Sequence, residues 1–390
     1  MSHNFDEIIP REGTNSYKYD LRTKIFGTED VYPMWVADTE FRVPDFITKA
    51  IQDRLNHGVF GYTLLDDEYY NSIIDWIHKR HGFAVKKDWI KYSPGVVPSL
   101  FASVLAFTNP GDKVIVQTPV YYPFYSAVKE TGREIVRNPL ELKDGRYEMN
   151  LKQMRDQIDE RTKMIILCSP HNPTGNVWAE QELRDLCELC LENNILIISD
   201  EIHADIVYSG KKHIPTASLS KEISMNTITL MAPSKTFNIA GMNSSYVFSE
   251  NDELLGKLAT YFEGMHISAN IFAIEATKAA YLNGAGWVDE LMQYYTESLN
   301  LIRIFVKTRL KNVSLIEPEG TFLLWLDFRA TGFKRKEVMK MLIEDAKVGL
   351  SDGFMFGKEG AGFVRMNIGC ARSKVIEALE KIASIKALSV

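Results

Sequence analysis

The chain predicts an α/β fold whose large domain carries a mostly parallel sheet covered by helices on both faces. Two observations point there. Short apolar runs recur, among them Lys163-Met-Ile-Ile-Leu-Cys168, Ile195-Leu-Ile-Ile-Ser199 and Thr227-Ile-Thr-Leu-Met231, and near-continuous apolar runs of that length are buried parallel strands. Amphipathic stretches of helical period stand between them, as in Ala179–Glu192, where Leu183, Leu186, Cys187 and Cys190 share one face. Beyond residue 285 the alternation is looser, which suits a smaller α+β domain. The division expected is a large domain over 51–285, with 1–50 and 286–390 combining as the small one.

In chain order, residues 1–50 read as an extended arm. A helix opens at Pro44, a residue suited to a first turn, and runs to near Gly58. Gly61-Tyr62-Thr63 is a loop, and a second helix spans about Asp66 to His81. Ser93-Pro-Gly95-Val96 opens a helix to about Phe107. Strands are expected at Lys113–Gln117 and Glu134–Arg137, flanking a helix from Tyr121 to Thr131. The strands Lys163–Cys168, Ile195–Ser199 and Thr227–Met231 follow, then a long helical reading from Asn251 to Asn283 and another from Trp287 to Leu310. Thr321–Asp327 and Gly362–Asn367 read as strands, with helices near Lys336–Ala346 and from Ser373.

Composition narrows the function. With 45% apolar and 25% charged residues the chain is ordinary for a soluble globular protein. A net charge of −6 argues against a general nucleic-acid or membrane-surface role. No apolar run reaches the length of a membrane span, and the polar amino terminus has no signal-peptide core, so a cytoplasmic location is expected. The four cysteines are too few for a disulfide framework. Cys187 and Cys190 form a C-x-x-C, yet their shared helical face reads as buried thiols, and no metal site is expected.

Chemistry gathers at strand ends. The Lys163–Cys168 strand runs into Ser169-Pro-His-Asn172-Pro-Thr-Gly175. The Ile195–Ser199 strand runs into Asp200-Glu-Ile-His203, and Thr227–Met231 into Ala-Pro-Ser234-Lys235. In an open α/β sheet, ligands bind outside the carboxyl ends of the strands. A lysine near a dry core there loses its proton more readily than a surface lysine. The helix start at Gly95 offers free N–H groups and a dipole that favour a phosphate. A lysine amine, a carboxylate, an amide and an aromatic such as Tyr121 are the parts that a phosphorylated pyridine aldehyde requires: Schiff-base formation, a protonated ring nitrogen and a stacked ring face. Singly, each has a plainer reading. Asp200 also reads as a turn cap, Asn172-Pro-Thr-Gly175 as a turn, Tyr121-Tyr122 as core packing and Arg365 as half of a structural ion pair.

Taken together, Ser-Pro-Gly95, Pro119-Val-Tyr121, Asn172-Pro-Thr-Gly175, Asp200-Glu-Ile-His203, Ser234-Lys235 and Arg365 resemble the fold-type-I pyridoxal-phosphate enzymes, the aspartate aminotransferase superfamily. Arg11-x-Gly-Thr-x-Ser-x-Lys-Tyr-Asp20, Met34-Trp-Val-Ala-Asp38 and Ser234-Lys-Thr-Phe-Asn-Ile-Ala-Gly241 are similar to its bacterial cystathionine β-lyase, or C–S lyase, branch. The resemblance implies that Lys235 would carry pyridoxal 5'-phosphate as a Schiff base and shuttle the Cα proton. Asp200 would pair with the pyridinium nitrogen, Asn172 and His203 would meet the ring oxygen, and Tyr121 would stack on the ring. The Gly95 and Val96 amides with Ser234 would hold the phosphate. Arg365, with Asn172, would bind the substrate carboxylate. Tyr62 would reach the cofactor of a neighbouring subunit, which implies a homodimer acting on a small amino-acid substrate.

Two departures favour the lyase branch. Gly241-Met242-Asn243 lacks the phosphate-binding arginine that many aminotransferases carry after the lysine, and Ala232 stands where a serine is common. The implied reaction is β-elimination from L-cystathionine or a related cysteine S-conjugate, giving a thiol, pyruvate and ammonia. Transamination between an amino acid and a keto acid is the alternative. A binding protein that keeps the fold without turnover is disfavoured by Lys235, Asp200 and Arg365 occurring together.

Overall fold

The computed structural model describes residues 3–390; of the polar amino terminus, Met1 and Ser2 lie outside the described residues. A seven-stranded sheet forms the centre, in the order Ile90–Ser93, Ser245–Phe248, Thr227–Met231, Leu196–Asp200, Thr162–Cys168, Lys113–Thr118 and Glu134–Pro139. Only Ser245–Phe248 runs against its neighbours; the pairings from Thr227–Met231 through Glu134–Pro139 are parallel. Every residue of Leu196–Asp200 and Thr227–Met231 is buried. The strands are apolar on both faces because helices cover both. Leu183, Leu186, Cys187 and Cys190 of helix Glu180–Glu192 pack on one side, and helix Val96–Phe107 packs on the other. All four cysteines are free and buried.

A second, antiparallel sheet has four strands, in the order Ser314–Ile316, Leu323–Asp327, Phe363–Asn367 and Ser351–Asp352. Its central strand carries Arg365, in register with Trp325 on one side and Ser351 on the other. The amino-terminal segment is tied to this part of the chain: Tyr32-Pro33 pairs in parallel with Val348-Gly349.

Several expectations are corrected. The amino-terminal arm contains two short helices, Tyr17–Asp20 and Arg22–Phe26. The long helix read from Asn251 to Asn283 is two, Asp252–Gly264 and Ile271–Asn283. They part because His266 takes a left-handed φ of 51° and Asn270 caps the second helix, accepting from the N–H groups of Phe272 and Ala273. Strands Ile90–Ser93 and Ser245–Phe248 were not anticipated. The helix expected from Tyr121 starts at Pro123, leaving Tyr121 in a turn where its N–H donates to the Asn172 carbonyl over 3.1 Å. Among the described residues, no helix is long and apolar enough to cross a membrane.

Candidate active site

Parallel pairing sets the carboxyl ends of the strands at Ser93, Thr118, Cys168, Asp200 and Met231 on one edge of the sheet. The single reversed strand enters at that edge, through Asn243 and Ser244. A cavity of about 240 Å³ opens there. Gly95 and Val96 line it at the start of helix Val96–Phe107, and Tyr121 and Asn172 line it from the next two strand ends. Asp200, His203, Ser234 and Lys235 complete the set expected from the sequence. Arg365 reaches this wall from the second sheet, its Nη1 donating to Asn172 Oδ1 at 3.0 Å.

Tyr62 is the exception. It is fully exposed and lies in a separate surface depression with Phe60, Ser268 and Phe272.

The electrostatics follow from burial. Asp200 is 4% exposed, and its carboxylate accepts one N–H, that of Ile202 at 3.2 Å. Burial pushes its pKa up to about 7, against the pull of that N–H and of Lys235. Lys235 donates from Nζ to the Ala37 carbonyl at 2.6 Å. Burial draws its pKa down to about 8; Asp38 and Asp200 oppose the shift and Arg365 adds to it. At pH 7 roughly a tenth of such lysines are free amine. Burial, with the charges of Lys235 and Arg365, lowers His203 to about 3, so its ring is neutral, and its buried Nδ1 has no hydrogen-bond partner. The N–H groups of Val96 and Val97 begin a helix, where no intrahelical acceptor exists, while Pro98 has none to offer.

Arg365 is 4% exposed, and burial brings its pKa down to about 10. Its Nη2 donates to the Trp35 carbonyl at 2.6 Å and its guanidinium lies 4.7 Å from the centre of the Phe356 ring. Nε has no partner, and among the described residues no carboxylate pairs with it. A buried cation held only by neutral acceptors is a receptor for an anion.

A strap joins these parts, within the Met34–Asp38 motif that carried a resemblance but no physical role. Residues 35–38 pass between the two sheets. The carbonyls of Trp35 and Ala37 accept from Arg365 and Lys235, and those of Val36 and Asp38 accept from Asn367 Nδ2. Asp38 in turn binds Arg11 at 2.7 Å, and buried Lys18 lies 2.7 Å from Glu40. This gives a physical reason for the Arg11–Asp20 motif: it anchors the strap. The strap's contacts are made by backbone oxygens, which no residue type announces. Asn243 and Ser244 were also missed as cavity residues, since the short strand they precede was missed.

The family described as aminotransferase class I and II matches residues 36–382. Cystathionine beta-lyase PatB of Bacillus subtilis is 41% identical over 381 residues, covering 97% of this chain and 98% of that protein. Cystalysin from Treponema denticola, whose crystal structure contains a pyridoxal 5'-phosphate cofactor, superposes with a TM-score of 0.95 at 32% identity, covering 98% of both chains. The pyridoxal-phosphate-bound C–S lyase from Staphylococcus hominis gives a TM-score of 0.90 at 34% identity, again with 98% of each chain covered.

Proposed function

The chain belongs to the aminotransferase class I and II family, and from that premise we propose that it is a pyridoxal-phosphate-dependent C–S lyase. Its substrates are L-amino acids with sulfur on Cβ, L-cystathionine or related cysteine S-conjugates, as the names of its relatives suggest. The observation that carries the reading is a buried carboxyl, Asp200, with one backbone N–H as its donor, in one site with a buried guanidinium, Arg365, held by neutral acceptors. The residues fit the cofactor. Asp200 would receive the cation of a protonated ring nitrogen, the unpartnered His203 Nδ1 and Asn172 would meet a ring oxygen, and the Gly95 helix start with Ser234 would hold a phosphate. The cofactor, when bound, supplies an electron sink for negative charge at the substrate Cα.

The chain's own residues do the rest. Arg365 holds the substrate carboxylate, and Asn172 Oδ1 fixes the guanidinium plane. Lys235 would hold the cofactor until the substrate amine takes its place, and the freed Nζ would then accept the Cα proton; burial brings its pKa down to about 8. Tyr121, which lines the cavity, would cover the ring face. The Cβ–S bond would then break with its electron pair on sulfur, the thiolate would take up the proton that Nζ removed, and one water would convert the remaining three-carbon fragment to pyruvate and ammonia. The absence of an arginine at Gly241-Met242-Asn243 supports the lyase over the transaminase. The test is L-cystathionine without any keto acid: sustained pyruvate release is expected, and product that forms only when a keto acid is added overturns the lyase in favour of transamination.

The same reading makes the protein a cytoplasmic homodimer, with residues 51–285 as its cofactor-binding domain. Tyr62 is flanked by exposed Val59, Phe60 and Leu64, an apolar run that a second copy covers while Tyr62 reaches its partner's phosphate site. Sedimentation equilibrium is expected to give twice the chain mass, and a monomer at micromolar concentration overturns this part.

A further inference from the structure

Behind the cavity lies Asp205, a buried carboxylate that the proposed reaction does not use. The strand end at Asp200 continues into a tight turn: the Ala204 N–H donates to the Glu201 carbonyl at 3.0 Å and the Ile206 N–H to that of His203 at 2.9 Å. Asp205, on this turn, is buried and takes donors from two other elements. Thr236 Oγ1 donates to its Oδ2 at 2.7 Å, Trp76 Nε1 donates to Oδ1 at 3.0 Å, and His81 Nε2 lies 3.0 Å from Oδ1. Trp76 and His81 belong to helix Asp67–His81, while Thr236 follows Lys235 directly.

We propose that Asp205 is a positioning residue for Lys235, holding the lysine loop through Thr236 so that Nζ stands at a fixed place relative to Asp200. The inference rests on the cofactor reading above. The carboxylate that would meet the ring nitrogen ends a strand, and the turn that follows it directly carries the carboxylate that grips the lysine loop. The spacing between ring and amine is therefore set within one short segment, residues 200–205. The loop is gripped from its other side too, since Asn238 Oδ1 accepts from the Thr39 N–H at 3.1 Å and its Nδ2 donates to the Phe41 carbonyl at 3.0 Å. Phe237 fills the space between, fully buried against Trp76 and Trp287. With Thr236 unbonded, the loop keeps its packing and loses its rotational setting, and small misplacements of a reacting group are costly.

The test compares Thr236→Val, which keeps shape and loses the hydroxyl, with Thr236→Ser, which keeps the hydroxyl, and adds Asp205→Asn. In the cofactor-loaded protein, Thr236→Val is expected to lower kcat about 10–100-fold with little change in KM. It also moves the pH midpoint of the lysine-bound cofactor's absorbance by about half a unit or more. Thr236→Ser restores most of both. In the cofactor-free protein, pH-dependent acylation of Lys235, followed by peptide mass mapping, shifts its midpoint in the same sense. Asp205→Asn combined with Thr236→Val is no worse than the more severe single variant. A Thr236→Val protein that loses only melting temperature, with kcat and both midpoints as in the parent, overturns the proposal. Should Asp205→Asn fail to fold, the two Thr236 variants decide alone. A parent protein that shows no lysine-dependent absorbance with cofactor defeats the functional reading instead, so the two failures are distinct.

Discussion

Asp200 ends a strand and Asp205 lies on the turn that follows it; both are buried, yet their charges meet opposite surroundings. Asp205 receives Trp76, Thr236 and His81; burial alone raises its pKa, but the bonds from His81 and Thr236 bring it below the ordinary value. Glu201, fully buried, is likewise satisfied by Ser199, the Thr216 N–H and His213. Asp200 has one backbone N–H and is pushed up to about 7. The cations divide in the same way. Buried Lys18 has Glu40, while Arg365 has only neutral acceptors. Buried ions that build the scaffold are paired within it, and those facing the cavity are left for a ligand to complete.

The sharpest way to break this contrast is Asp200→Asn. On the proposed reading it removes the charge that the cofactor ring would need, and kcat/KM for thiol release is expected to fall by about 10²–10³-fold. The same change has the opposite effect on the cofactor-free protein. Because the folded pKa of Asp200 is raised, its stabilising contribution is full below the ordinary value of 3.8 and is lost as pH rises through about 7. Above pH 7 the charged form is a cost, and cofactor-free Asp200→Asn should melt a few degrees higher than the parent there, with no gain near pH 4. Equal melting temperatures at both pH values would show that Asp200 has a partner after all.

A smaller effect is expected at Arg365. Arg365→Lys keeps the charge and loses the fork that spans a carboxylate, so KM rises about 10–100-fold with kcat changed far less. Steady-state assays of pyruvate release separate the two parameters. An unchanged KM would return Arg365 to a structural role.

The legibility of this protein was uneven for physical reasons. Parallel strands such as Leu196–Asp200 announce themselves because both faces are buried, and their shared direction places Asp200, Asn172 and Lys235 on one edge without further information. Ile90–Ser93 and Ser245–Phe248 are four residues each, too short for period or composition to speak. The helix break at 265–270 was written in Gly264 and Asn270, a terminator and a cap, but the apolar period ran through it. Tyr121 was assigned to a helix that begins at Pro123, although its place at the cavity holds. Asp205 drew no notice, since an acid after a turn has no distinguishing neighbour in sequence; its donors lie in helix Asp67–His81 and in the lysine loop.

The strap at residues 35–38 has a consequence for how this protein can change. Lysine, arginine and Asn367 are all moored to main-chain oxygens there, and side-chain replacement leaves a main-chain oxygen in place. Scanning mutagenesis would therefore report only on the strap's side chains, such as buried Trp35 and the Arg11 partner Asp38, and not on the main-chain oxygens that, on the proposed reading, align proton transfer with carboxylate capture. Its failure mode is displacement rather than substitution. An inserted or deleted residue between Trp35 and Asp38 would slip every mooring by one place, uncoupling the two halves of the site while every side chain named here remained present.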